Sequence, residues 1–118
     1  MTTNNNIPVP VPAWAEGINC AITVCDADCN ILYMNAKSRE TFAKRGNLIG
    51  ANLRDCHQPQ SVAIIDRLLA DGGTNCYTIS KEGKRKMIYQ SAYTDNGKVA
   101  GLVEISMVIP EEMPHYIR

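Results

Sequence analysis

The 118-residue chain has no surplus of charge of either sign: twelve Lys and Arg balance twelve Asp and Glu, for a formal net charge of zero. A domain that binds nucleic acid needs spare cations to displace the counterions of the phosphate backbone, so nucleic acid is excluded as a partner. No apolar run approaches the ~18 residues that a membrane span requires, which excludes a helical membrane segment. Ala13-Trp14-Ala15 has the small-residue form of a signal-cleavage site. It lacks a basic n-region and an apolar h-region ahead of it, so secretion is excluded and the expected location is cytoplasmic. The five cysteines (Cys20, Cys25, Cys29, Cys56, Cys76) form no Cys-x-x-Cys pair, and only Cys56 has an adjacent histidine. Structural zinc requires paired ligands at short spacing, so no metal site is expected and the thiols read as small, reduced, apolar residues. Histidine is nearly absent too: with only His57 and His115, and no glycine-rich phosphate loop, no catalytic constellation can be traced. The chain is not expected to be an enzyme.

What is present suits one folded domain. The hydrophobic fraction of 45% is enough for a core. Pro8, Pro10 and Pro12 fix φ at alternate positions, so residues 1–12 read as a flexible, extended arm. Residues 13–109 read as a single domain and 110–118 as a tail. Residues 13–19 offer one or two helical turns with Trp14 and Ile18 on one face. Residues 20–25 and 31–34 read as two strands joined by the turn-forming Asp26-Ala27-Asp28-Cys29-Asn30. Asn35 is an N-cap for a short helix over 36–45, and Gly46 ends it. Pro59 opens a second helix to about residue 70. Val62, Ile65, Leu68 and Leu69 form its apolar stripe, and Asp71-Gly72-Gly73 stops it. Residues 75–80, 86–94 and 98–109 read as three strands, with Asn96-Gly97 a hairpin turn. The order ββ–helices–βββ predicts an α+β fold: a five-stranded antiparallel sheet with short helices over one face.

Five local patterns, in order, resemble the PAS domain family over about residues 16–109. They are Asp26-Ala27-Asp28-Cys29-Asn30-Ile31, Tyr33-Met34-Asn35-Ala36, Phe42, Leu48-Ile49-Gly50 with Asn52-Leu53, and the stretch from Gly97 to Gly101. Cys29 stands where the family usually has Gly, which would pass the left-handed position to Asn30. The run Asp55-Cys56-His57-x-Pro59-x-Ser61 is similar to a bacterial subset whose PAS module is often joined to haemerythrin-like domains. No kinase, cyclase or DNA-binding segment accompanies it, so a stand-alone module is expected.

The resemblance implies a PAS-like sensor for signal transduction, with a cleft between sheet and helices that differs in content among members. His57 lies near where haem-binding members place an axial histidine, and a neutral imidazole is a good iron ligand. The alternative is a structural imidazole bonded to backbone at the helix start. A redox role for Cys56 beside His57 stays open on the same grounds. Light sensing is excluded on two grounds. The Tyr and Glu that hold a Cys-linked chromophore in photoactive yellow protein, also a PAS fold, would fall near Met34 and Ser38, which cannot bind a phenolate. The flavin-adduct run Asn-Cys-Arg-Phe-Leu-Gln is also absent. Strand alternation and the family register turn Ile88, Gln90 and Ala92, with Val103, Ile105 and Met107, toward the helices. The candidate ligand-binding residues are therefore His57, Cys56, Ile65, Leu69, Ile88, Gln90, Val103 and Ile105. A buried Gln90 needs a partner, whether another side chain, water or a ligand. The opposite face would carry Tyr89, Tyr93, Leu102, Glu104 and Val108, covered by Trp14 and Ile18 or by a second copy. A homodimer through Trp14, Ile18, Tyr89, Tyr93 and Leu102 is expected, along with a separate effector protein and a small-molecule ligand.

Overall fold

Alternating small and β-branched residues build the first hairpin, β1 (Ala21–Asp26) and β2 (Ile31–Met34), in a computed structural model that describes residues 11–118. The expected N-terminal arm lies outside the described residues except for its last two. Helix α1 (Ala13–Gly17) precedes the hairpin, and α2 (Ala36–Thr41) follows it. The helix expected over 36–45 is split: Phe42 leaves helical geometry, and Ala43–Arg45 form a separate 3₁₀ turn ended by Gly46 at φ 76°. A second 3₁₀ turn, Leu53–Cys56, leads into α3 (Pro59–Asp71), which has proline in its first turn and Gly72 at φ 81° beyond its end. Strands β3 (Thr74–Lys81), β4 (Lys84–Asp95) and β5 (Lys98–Ile109) complete the domain. Residues 110–118 add no helix or strand.

The sheet order is β2-β1-β5-β4-β3, and every neighbouring pair is antiparallel. The two long hairpins close through Glu82-Gly83 and Asn96-Gly97, all four at positive φ, as two-residue turns matched to strand twist require. Ile65 and Leu68 of α3 pack on Cys25, Ile31, Met34 and Leu102, with Leu53 and Cys29 closing the cluster. Burying a residue such as Leu102 contributes roughly 1.5–3 kcal/mol, so this cluster supplies much of the force holding α3 on the sheet.

Asn35 is the junction of the N-terminal half. Its side-chain oxygen accepts from Ser38 N at 3.0 Å, capping α2, and from Ile22 N at 2.9 Å. Its amide nitrogen donates to Ala15 O and Cys20 O, both at 2.9 Å. The side chain is fully buried, and these four bonds use both of its polar atoms. Glu16 fastens α1 further: it accepts from the Tyr33 hydroxyl at 2.7 Å and pairs with Arg39.

Two expectations from the sequence fail on backbone detail. The left-handed residue of the first turn is Cys29 itself, at φ 72°, and not Asn30. Asn30 is instead drawn into the ladder by a bridge to Asn52. A side chain in the left-handed region costs about 1–2 kcal/mol, and here the side chain is wholly buried in the core. The faces of β5 are also reversed. Leu102 pairs with Ala92 and Cys25, and Glu104 with Gln90 and Thr23, so Leu102, Glu104 and Ser106 face the helices. Val103, Ile105 and Met107 therefore lie on the outer face. The register with β4 and the buried partners of Glu104 override the rule that puts the uniformly apolar set inside.

Candidate ligand cavity

The hollow of the sheet beneath the helices carries a line of polar side chains drawn from four elements. Asn75 on β3 donates its amide to Gln90 Oε1 at 3.0 Å. Gln90 on β4 donates to Glu104 Oε2 at 2.7 Å. The same oxygen lies 3.5 Å from His57 Nε2, just ahead of α3. His57 Nδ1 sits 3.0 Å from Leu53 O. Gln90 and Glu104 are buried, and the His57 side chain is only 14% exposed. The partners that Gln90 requires are thus side chains of the protein itself.

Both nitrogens of His57 face oxygen acceptors, so each is best served by carrying a proton. The ring is held above its ordinary pKa, first by its hydrogen bond to Glu104 and against the opposing effect of burial. An imidazolium beside a carboxylate is a charge-assisted pair in a low-dielectric setting. Nearby, Thr23 Oγ1 and Ser38 Oγ share a hydrogen bond of 2.7 Å, which ties β1 to α2.

A cavity of about 190 Å³ opens beside this line, with His57, Glu104, Thr23, Tyr77, Ile88 and Phe42 among its walls. It continues into a wider groove of about 530 Å³ at the sheet edge, with which it shares Lys81 and Lys86. Lys37, Lys44 and Lys84 also border that groove, against Glu40 and Glu82, so its rim is basic.

Of the candidate ligand residues, the structure brings His57 and Ile88 to the cavity, and Gln90 adjoins it through Glu104. Ile65 is fully buried in the core cluster, with Leu69 packed against it. Cys56 is half-buried on the 3₁₀ turn and does not line the cavity. Val103 and Ile105 are on the outer face for the reason given above. Of the candidate dimer residues, Leu102 is fully buried in the core and is unavailable to a partner, because β5 presents it to α3. Trp14 and Ile18 are 69% and 43% exposed, and Tyr89 37%. Tyr93 lies across Gly101 and donates its hydroxyl to Cys25 O at 3.3 Å. Sequence reasoning missed Glu104, Thr23, Tyr77, Lys81 and Lys86. The pattern Glu104-x-Ser106, matched against Gln90 and Ile88 across the ladder, was the available signal for Glu104.

Haem does not fit these residues. His57 has no free ring nitrogen to offer iron, and the cavity is small beside the ~300–1,000 Å³ typical of ligand sites. Among the described residues, no three His, Cys, Asp or Glu side chains are grouped to hold a metal ion, and no helix is long and apolar enough to cross a membrane.

A five-stranded antiparallel sheet with short helices over one face is the α+β architecture of this chain. A family model described as the PAS domain matches residues 14–109, and the chain belongs to that family. PAS domains are non-catalytic sensory modules of signal transduction, which is the class of this protein. The fold is similar to a C-terminal domain from Streptococcus mutans, with a TM-score of 0.64 at 21% identity, covering 80% of this chain and 78% of that one. It is also similar to the PAS domain of BvgS from Bordetella pertussis, with a TM-score of 0.58 at 16% identity and 82% of each chain covered. The PAS domain of nitrogen regulation protein NR(II) from Vibrio parahaemolyticus gives a TM-score of 0.58 at 18% identity, covering 86% of this chain and all (100%) of that one. Comparison with curated proteins returned no match.

Proposed function

We propose that the domain senses a small polar molecule bearing negative charge, held in the cavity beside His57 and Glu104. Binding is transmitted to a second copy or to an effector protein through the outer face of the sheet. The observation that carries this reading is the buried Asn75–Gln90–Glu104–His57 line, which ends at a cavity whose mouth holds Lys81 and Lys86. The line joins the segment just ahead of α3 to strands β5, β4 and β3. A negatively charged ligand that competes with the Glu104 carboxylate for the His57 ring makes different contacts in two packings of α3 on the sheet. Such a difference is what a switch requires.

The outer face supports the second half of the proposal. Ile22 and Val24 of β1, Val103, Ile105 and Met107 of β5, and Met87 of β4 are all only half-buried, and Tyr89 beside them is exposed. With the exposed Trp14 of α1 and Ile18 just after it, they make an apolar surface that a second copy would cover.

Native mass spectrometry of the purified protein tests the sensing half. A small acidic molecule should be retained by the parent and lost in His57→Ala and in the Lys81→Ala/Lys86→Ala double variant. Retention unchanged in both would overturn the assignment of the cavity.

A further inference from the structure

The core contains a pair of thiols that the sensing cavity does not use. Cys25 of β1 and Cys29 of the following turn both have no solvent exposure, and their sulfurs lie 4.0 Å apart. Cys29 holds this place at a backbone cost: its φ of 72° is a region where glycine is the unstrained choice. Strained backbone at a non-glycine residue points to a use for the side chain it presents. The turn is tightly specified to present it. Asp26 Oδ1 accepts from Asp28 N and Asn30 N, both at 2.9 Å, and Asp26 O accepts from Cys29 N at 2.9 Å.

We infer that Cys25 and Cys29 form a reversible dithiol–disulfide couple, oxidised by hydrogen peroxide, that makes this domain responsive to oxidants. The Cys25 thiol donates toward the Cys29 sulfur. This contact, with Arg54 and His57 nearby, holds the Cys29 thiol below its ordinary pKa. Cys29 is thus the attacking sulfur. It takes one peroxide oxygen as the O–O bond breaks, and the other oxygen leaves as water with the thiol proton. The Cys25 sulfur then attacks the resulting sulfenic acid, the S–O bond breaks, and a second water leaves with the Cys25 proton. Two electrons pass from the sulfurs to one peroxide, and a thiol reductant reverses the step by exchange. The sulfurs need to approach by about 2 Å to reach bonding distance. Entry is by opening of the turn, whose tip residues Ala27 and Asp28 are exposed, so oxidation is slower than at the exposed Cys76.

Closure of this bond is felt beyond the turn. Cys29 O accepts from Leu53 N at 2.8 Å, and Leu53 O faces His57 Nδ1 at 3.0 Å. Displacing the Cys29 backbone therefore pulls on the turn that positions His57.

The test uses the full chain with Cys20, Cys56 and Cys76 changed to Ser, so that only the pair remains. After treatment with hydrogen peroxide, the thiols counted in the unfolded protein should fall from two per chain to none, and dithiothreitol should restore both. Cleavage before aspartate separates residues 1–25 from 28–54, so the disulfide appears as these two peptides linked within one monomer. The same linkage is read by fragmentation in the parent chain, should the serine variant fold poorly. Cys29→Gly, which relieves the strained backbone, should fold and leave Cys25 as a persistent free thiol. Two thiols surviving in oxidant, linkage between chains, or separate sulfinic acids at the two positions would each overturn the inference.

Discussion

Glu104 Oε2 stands between two donors, 2.7 Å from Gln90 Nε2 and 3.5 Å from His57 Nε2, and so joins the C-terminal hairpin to the start of α3. Nothing else among the described residues gives this buried carboxylate a counter-charge as close as the His57 ring. Its removal should leave Gln90 Nε2 and His57 Nε2 without an acceptor, while His57 Nδ1 keeps Leu53 O. Glu104→Ala is expected to destabilise the fold by about 1–3 kcal/mol, the usual cost of orphaned buried donors, measured from urea midpoints. It should also return the His57 pKa toward its ordinary value, read by NMR titration.

The same pair makes stability depend on pH. His57 is raised in the folded state by Glu104, opposed by burial and helped by the Leu53 carbonyl and Cys29. A raised histidine stabilises the fold fully below its unfolded value, near ~6.5. That contribution is lost as pH rises through the higher folded value. Urea midpoints should therefore fall above about pH 6.5, and the fall should be absent in His57→Gln. A parent with equal midpoints on both sides of this window would contradict the pairing.

The Asn35 side chain makes four hydrogen bonds that tie α1, β1 and α2 together. Asn35→Ala removes a helix cap and three further hydrogen bonds, and leaves the Ala15 and Cys20 carbonyls unpaired. A loss of about 2–4 kcal/mol is expected, with α1 detaching first. Hydrogen exchange should show early loss of protection in α1 and at Ile22.

Gly101 is required for space and not for a positive φ. A methyl group there would overlap the Cys25 carbonyl oxygen and come within 2.7 Å of the Tyr93 hydroxyl. Backbone cannot yield as a flexible side chain can. Gly101→Ala should cost about 3 kcal/mol, the upper end of overpacking, in chemical denaturation. A cost near zero would mean that Tyr93 does not lie across this glycine.

If the outer face is the contact between copies, one charge at its centre should separate them. Ile105→Glu is expected to convert a dimer into a monomer in light scattering while leaving the unfolding midpoint of the monomer unchanged. Leu102→Glu should instead prevent folding, because Leu102 lies in the core.

Most of the architecture is legible in the sequence because its punctuation is local. Asn35, Pro59, Gly72 and Asn96-Gly97 each act within a few residues of themselves, and each element they bound is found. The site was less legible because its members meet only across the sheet. Alternation along β5 yields two sets of residues, and the apolar set looks like core. Which set faces inward is decided by Gln90 and His57, which are distant in sequence. Cys29 was misread for a related reason: propensity favours Asn30 for a positive φ, whereas the thiol-lined core and the Asn30–Asn52 bridge fix the choice.

The chain has a single tryptophan, and α1 carries it on the surface, 69% exposed and away from the hydrophobic cluster. Its fluorescence will therefore start red-shifted in the isolated domain and change little when the core melts. Whatever comes to rest on α1 will shift the emission to the blue and shield it from quenchers. The indole is thus a native optical gauge of company at that surface, independent of the folding state beneath it.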